Sequence, residues 1–415
     1  MTAPQLLAYI VAALLLQLVV GVVLAVARRR SAAPAPLETT PATPSQASAR
    51  AWAGWREFRV VRREFEDVSH SQCSFYLQPV DGLPLQPFQP GQYLTFSLHI
   101  GGGGAGGTTS RQVTRCYSLS ERPDPTGYRV TIKRVPPPQG RPELPPGASS
   151  NHFHDHVQAG DLLQLRAPAG HFFLNPDPSV PIVLIAGGIG ITPMMSMLRW
   201  CVAEQPDRVV HLYYGLRNGT EHAFQQVLAD LNASHKALKL NVVYSSAGPD
   251  DVMGQDFHFS GHVDLALLRR TLPHGHHQFY VCGPAPMMNS LVPALREWGV
   301  PEADLHFEAF GPATARPASP LPNEPAAKGT AVIDVQFHRS GRSLSWDGRD
   351  ASLLDFAERH DVAVDSGCRS GSCGACQTRL LSGTVLYAET PDHDIAAGHC
   401  LLCVGRPQTA LVLEA

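Results

Sequence analysis

Three cysteines within nine residues, Cys368, Cys373 and Cys376, stand in the run CRSGSCGACQTRLLSG, and two more follow at Cys400 and Cys403. This grouping constrains the chain more than any other stretch, because thiols so close in sequence meet only where the backbone turns tightly several times. Gly367, Gly371 and Gly374, with Ser370 and Ser372, supply the freedom for such turns. The other four of nine cysteines, Cys73, Cys116, Cys201 and Cys282, are scattered through 415 residues. A disulfide scaffold would be denser and in a smaller chain, so the pattern points to a reducing compartment and a metal site.

The spacing C-x4-C-x2-C with a distant fourth cysteine differs from a zinc ribbon, in which two CxxC pairs face each other. It matches the plant-type [2Fe–2S] pattern. The glycines let the loop aim its N–H groups at the sulfur atoms, which favours the reduced, more negative state. The apolar run LLCVGRP predicts a strand, in which Cys400 and Cys403 would point to opposite faces, so that only one of them could be a ligand. The stretch from about Val332 to Leu413 resembles plant-type ferredoxins, whose last cysteine closes a G-x-x-L-x-C motif; Gly398, Leu401 and Cys403 fit it. The resemblance implies Cys368, Cys373, Cys376 and Cys403 as ligands, Cys400 as a bystander, and a β-grasp ferredoxin-like domain over 330–415.

At the other end, LLAYIVAALLLQLVVGVVLAVA (6–27) is followed at once by Arg28, Arg29 and Arg30. A helix of that length spans about 33 Å, enough to cross the hydrocarbon of a bilayer. Ala25-Val26-Ala27 offers a cleavage pattern, but the apolar run exceeds a signal peptide's and no Lys or Arg precedes it. The expectation is a single-pass transmembrane helix, N-terminus outside and catalytic domains cytoplasmic, as in a bacterial inner membrane. Residues 28–54 read as a linker rich in Ala, Pro, Ser and Thr. Charged residues make up 17% and formal net charge is −3, so there is no basic field for nucleic acid.

From 55 to 178 short alternating runs such as YLTFSL and YRVTIKRV, broken by Gly and Pro, predict an antiparallel β-barrel. From 179 to 313 apolar strands such as PIVLIA and QFYVCG alternate with helical stretches, predicting βαβ units and a parallel sheet. Residues 314–329 read as a second linker, leaving the cluster domain free to swing. The chain is therefore expected to be multidomain.

Within the barrel, Arg115, Tyr117 and Ser118 of RCYSLS could pair with a phosphate, pack on a flavin and hydrogen-bond its ring edge. GASSN, with Ser150 and Asn151, opens a predicted helix whose N–H groups suit a pyrophosphate. Gly187, Gly188, Gly190 and Thr192 follow the strand PIVLIA and open another helix, the setting of a dinucleotide loop, although the spacing is not G-x-G-x-x-G. Cys282 and Gly283 end a strand at the edge of the sheet where ligands bind. His152, His154 and His156 alternate, but in a helix only i and i+4 share a face, which disfavours a metal site.

Taken together, PGQYL, RCYSLS, YRVTIKR, GASSNHFHD, GDLLQLRAPAGHFF, AGGIGITPMMSML, YGLRN, YVCGPAPMM and FEAFGP resemble the ferredoxin-NADP reductase superfamily. From Phe58 to Pro312 the likeness is strongest to the reductase half of flavohaemoglobins. The resemblance implies FAD held by Tyr93, Arg115, Tyr117 and Ser118, with Phe310 and Gly311 near its ring. It implies nicotinamide binding by Gly187 to Thr192, with Cys282 and Gly283 at the reactive ring and Glu308 tuning the flavin; Ser118, Cys282 and Glu308 are the candidate catalytic residues. No globin domain is present, and the C-terminal ferredoxin follows the order of phthalate dioxygenase-type reductases, which use FMN; FAD remains the expectation. The chain is thus expected to be an NAD(P)H-dependent oxidoreductase passing electrons through FAD and [2Fe–2S] to an oxygenase, a desaturase or a haem protein. A respiratory NADH:quinone reductase and a flavin-binding redox sensor are the alternatives, and the choice of NADH or NADPH stays open.

Overall fold

The computed structural model describes residues 52 and 54–309, except 86, 102–109, 138, 139, 141 and 144, together with 333–415, except 368, 370, 372, 389, 390, 392 and 394. The apolar run at 6–27, nearly all of the linker at 28–54, the linker at 314–329, and Phe310, Gly311 and Cys368 lie outside these residues. Among the described residues no helix is long and apolar enough to cross a membrane.

The first domain contains β1 (Arg56–Phe65), β2 (Gln72–Pro79), β3 (Tyr93–Gly101), β4 (Ser110–Ser118), β5 (Tyr128–Lys133), α1 (Ala148–His156) and β6 (Leu162–Ala169). Its six strands form an antiparallel sheet in the order β4-β3-β6-β1-β2-β5. Phe153 of α1 is fully buried among Phe75, Phe96 and Leu165, so the helix plugs the barrel. That side chain alone contributes about 2–3 kcal/mol through burial.

The second domain runs β7 (Ile182–Gly187), α2 (Ile191–Glu204), β8 (Val210–Leu216), α3 (Gln225–Ser234), β9 (Leu238–Tyr244), β10 (Phe259–Ser260), α4 (Leu265–Thr271), β11 (Gln278–Gly283), α5 (Ala285–Glu297) and β12 (Leu305–Ala309). The sheet is parallel, in the order β10-β9-β8-β7-β11-β12. All six residues of β7 are buried, as expected of a central strand covered on both faces. One face packs on Met194 and Leu198 of α2, the other on Leu268 of α4 and Met288 and Leu291 of α5. Strand order reverses between β7 and β11, which places a crevice at their carboxyl ends.

The third domain contains β13 (Ile333–Phe337), β14 (Arg342–Trp346), α6 (Leu353–Arg359), β15 (Gln377–Ser382), β16 (Val385–Tyr387), β17 (His399–Leu401), β18 (Gly405–Pro407) and β19 (Leu411–Leu413). A five-stranded sheet, β14-β13-β19-β15-β17, carries the only parallel pairing of this domain's described strands, between β13 and β19, and α6 packs on the core. Ser352 caps α6, its hydroxyl accepting from the Asp355 amide at 3.2 Å and donating to the Asp355 carboxylate at 2.8 Å. The predicted strand across LLCVGRP is overturned: β17 ends at Leu401, and residues 402–404 turn before β18. The turn brings the Cys403 amide to 3.4 Å from Cys376 Sγ, which a continuing strand would carry away from the loop.

Candidate redox site

Strands β3 and β4 pair Tyr93 with Ser118, Leu94 with Tyr117 and Phe96 with Arg115. Arg115 and Tyr117 therefore share one side of β4, while Cys116 between them meets Thr95 Oγ1 at 3.4 Å. The Tyr117 ring packs edge-on against Phe96 and Phe153, at 5.7 and 5.3 Å between centroids. Burial pushes its hydroxyl above the usual tyrosine range. Gly170 has φ +110°, and a Cβ there would lie 2.7 Å from the Tyr93 ring, so only glycine leaves that ring its place.

Tyr117 thus stands beside the start of α1, whose Gly147 cap makes no side-chain hydrogen bond. Ser149 and Ser150 in the first turn are buried. Ser150 Oγ is committed to the turn, donating to Gly147 O at 3.1 Å and accepting from Val135 N at 3.2 Å. Asn151 is also committed: its amide donates to Val135 O and Gly147 O at 2.9 and 2.8 Å and accepts from Arg134 at 3.0 Å. Both side chains hold the helix start in shape, and the first-turn backbone N–H groups are what this end of α1 offers an anion. Of the alternating histidines, His152 and His156 stand 5.4 Å apart between ring centroids, and His154 is turned inward onto Ile132 O at 2.8 Å.

At the crevice, β7 ends in Gly187, a short turn spans Gly188–Gly190, and α2 begins at Ile191. Gly188 has φ +53°. A Cβ on Gly187 would lie 2.7 Å from Pro284 Cδ, and one on Gly283 would lie 3.1 Å from Gly187 Cα. The two strand ends therefore pass within contact of each other, and the Met287 side chain packs over both glycines, its Cε 2.5 Å from where a Gly283 Cβ would stand. Thr192 Oγ1 donates to Ile189 O at 3.0 Å and closes the turn. Cys282 is fully buried and is the register partner of half-buried Glu308 on β12. Burial first, and the Glu308 charge second, push its thiol far above the usual range. It stays a neutral thiol.

In the third domain Cys373, Cys376 and Cys403 are 5%, 4% and 7% exposed. Gly371 and Gly374 take φ of +80° and +73°. The Ala375 amide lies 3.4 Å from Cys373 Sγ, as the Cys403 amide does from Cys376 Sγ. Among the described residues no three His, Cys, Asp or Glu side chains converge on a single ion; a two-iron cluster instead takes its thiolates in pairs, one pair to each iron. Buried thiols met by N–H donors fit such a cluster. Cys400, 1% exposed, has its thiol pushed up to about 12 by burial.

The cluster loop lies on the barrel. Arg115 Nη1 donates to Thr114 O at 2.7 Å and to Ser366 O at 3.2 Å. Arg166 Nη1, from β6, donates to Cys373 O at 2.8 Å, and its guanidinium lies over the Trp55 ring, 4.6 Å from the centroid. Neither Arg166 nor Trp55 was singled out from sequence, where LQLRAPAG carries no sign of what its outward side chains face.

A model of oxidoreductase NAD-binding domains matches residues 184–292, and one of 2Fe-2S iron-sulfur cluster binding domains matches 335–408. The flavohemoprotein of Halalkalibacterium halodurans is 39% identical over 268 residues, which cover 64% of this chain and 63% of that protein. The chain thus spans less than two thirds of the length of the curated relatives it matches. The FAD/NAD-binding domain of a Vibrio cholerae nitric oxide dioxygenase is 34% identical with a TM-score of 0.53, covering 62% of this chain and 99% of that one. Phthalate dioxygenase reductase is 26% identical with a TM-score of 0.50, covering 87% and 98%. The chain is therefore an oxidoreductase of the reductase type, a flavohemoprotein-like FAD- and NAD-binding module joined to a [2Fe–2S] domain.

Proposed function

We propose that this protein takes hydride from NADH or NADPH onto FAD and delivers the electrons singly, through [2Fe–2S], to a protein acceptor such as an oxygenase, a desaturase or a haem protein. The observation that carries this reading is the seat of the cluster loop on the flavin motif: Arg115, two residues from Tyr117, donates to Ser366 O at 3.2 Å. The domain order supports it, since phthalate dioxygenase reductase, described as a modular structure for electron transfer from pyridine nucleotides to [2Fe–2S], aligns over 87% of the chain. Bound FAD supplies the exchange between a two-electron donor and a one-electron acceptor.

The chain's own residues bind and orient. Tyr93, Arg115, Tyr117 and Ser118 line the flavin seat, with Phe310 and Gly311 expected beside it. Gly187, Gly188, Gly190 and Gly283 keep the crevice floor low enough for a nicotinamide, and the uncharged Cys282 thiol repels neither hydride donor nor product. No side chain has to carry a proton. The apolar run at 6–27 followed by three arginines supports a bilayer tether with the redox domains on the cytoplasmic side.

Ferricyanide takes electrons from the flavin, and cytochrome c takes them through the cluster. Cys373→Ser should therefore abolish cytochrome c reduction by the full-length protein and leave ferricyanide reduction within about twofold of wild type. Cytochrome c reduction that survives the substitution would refute the route. Recovery of the full-length protein from membranes resistant to alkaline carbonate tests the tether.

A further inference from the structure

We propose that Arg166, held by Trp55, is a positioning residue for the flavin-to-cluster electron step: a cationic latch that seats the cluster loop on the barrel and raises the cluster's reduction potential while it is seated. The inference rests on the electron route proposed above and adds the residue that governs it. Arg166, on the barrel, donates a hydrogen bond to the main chain of a cluster cysteine, 2.8 Å from Nη1 to Cys373 O. Its Nε is buried without a hydrogen-bond partner, and among the described residues no carboxylate pairs with it. The guanidinium is therefore a largely uncompensated charge directed at the cluster loop. The Trp55 ring, 4.6 Å away, replaces part of its lost hydration through the ring face and fixes its plane.

In the step concerned, one electron leaves the flavin, which hydride from NAD(P)H has reduced by two, and one ferric iron of the cluster becomes ferrous; the flavin's proton goes to solvent. The cluster and its thiolates gain one negative charge. A cation within the loop's hydrogen-bonding shell stabilises that added charge, so it makes the seated cluster the better acceptor. Arg166 belongs to the barrel, so the effect lapses when the loop leaves, and the same electron is then held less tightly for delivery outward. By linkage, a contact that favours reduction is itself tightened by reduction.

The test uses the full-length holoprotein. Mediated potentiometric titration followed by EPR gives the cluster potential, and anaerobic stopped flow with NADH separates flavin bleaching from cluster bleaching. Arg166→Gln should move the potential to more negative values and slow cluster reduction at least about tenfold, the factor that one charge-assisted hydrogen bond contributes to the seated population. Flavin bleaching by NADH should stay unchanged. Arg166→Lys, which keeps the charge, should restore the potential. Trp55→Leu, at an exposed ring outside the sheet, should give an intermediate loss and serves if Arg166→Gln fails to fold. Wild-type potential and wild-type cluster reduction in Arg166→Gln would overturn the proposal. If NADH bleaches the wild-type flavin but leaves a cluster that dithionite can reduce, the electron route fails instead. The mediated potential, which needs no flavin, still judges the latch.

Discussion

Gly190 sits so close to Cys282 that a Cβ on it would fall far inside van der Waals contact with the Cys282 carbonyl oxygen. The turn after β7 is thereby pressed onto the end of β11, backbone against backbone at the nicotinamide crevice. A methyl group would meet main chain, which cannot rotate away, so Gly190→Ala should destabilise the second domain by about 1–3 kcal/mol. It should also raise KM for NADH at least about tenfold. Thermal melts and initial rates check both; unaltered KM would show that the turn is not part of the crevice.

Cys282 should be inert to alkylation in the native protein. Its thiol is fully buried and pushed well above the usual range by burial and by Glu308, and only the thiolate reacts. Iodoacetamide at pH 8 followed by peptide mass spectrometry should label half-buried Cys116 before Cys282, and Cys282 only on unfolding.

Cys400 and Cys403 should separate cleanly. Cys400→Ala should keep the cluster's visible absorbance, because Cys400 sits in β17 facing the domain core. Cys403→Ser should lose most of it. Retention in Cys403→Ser together with loss in Cys400→Ala would reverse the ligand assignment.

Tyr117 should matter by its ring more than by its hydroxyl, since its contacts are the rings of Phe96 and Phe153. Tyr117→Ala should cost about 2–3 kcal/mol, less than truncating a fully buried aromatic, and should release most of the flavin on gel filtration. Tyr117→Phe should keep both stability and flavin.

Acid should weaken the second domain in a definite window. His211 and His222 are both held down to about 4 by burial, against about 6.5 in an unfolded chain. The folded state thus refuses protons that the unfolded state accepts. The stabilisation is full above pH 6.5 and falls by about 1.4 kcal/mol per pH unit for each histidine as pH drops towards 4. His222, whose Nδ1 meets Tyr244 OH at 2.8 Å, is the one to replace: melts of His222→Gln between pH 7 and 4.5 should show a shallower decline.

Much of the architecture was legible because pattern and burial agree. PIVLIA is apolar throughout because β7 is covered on both faces, and GGIGITP follows it because the turn must pass a neighbouring backbone. The strand expected across LLCVGRP breaks into a turn at 402–404, so side-chain alternation does not choose between Cys400 and Cys403, and the choice of Cys403 rests on the G-x-x-L-x-C motif. Ser150 and Asn151 illustrate a different limit: residues at a helix start suggest a ligand, yet these two side chains hold the turn itself. Arg166 was out of reach, because its role depends on a partner surface more than 200 residues away. Phe310, Gly311 and Cys368 lie outside the described residues, so the sequence alone speaks for them.

The most direct test of the electron route is EPR of the full-length protein after anaerobic addition of NADH or NADPH. The route requires a reduced [2Fe–2S] signal approaching one spin per chain, and its loss in Cys373→Ser while the flavin still bleaches. A bleached flavin beside a wild-type cluster that stays oxidised, yet is reduced by dithionite, would contradict it.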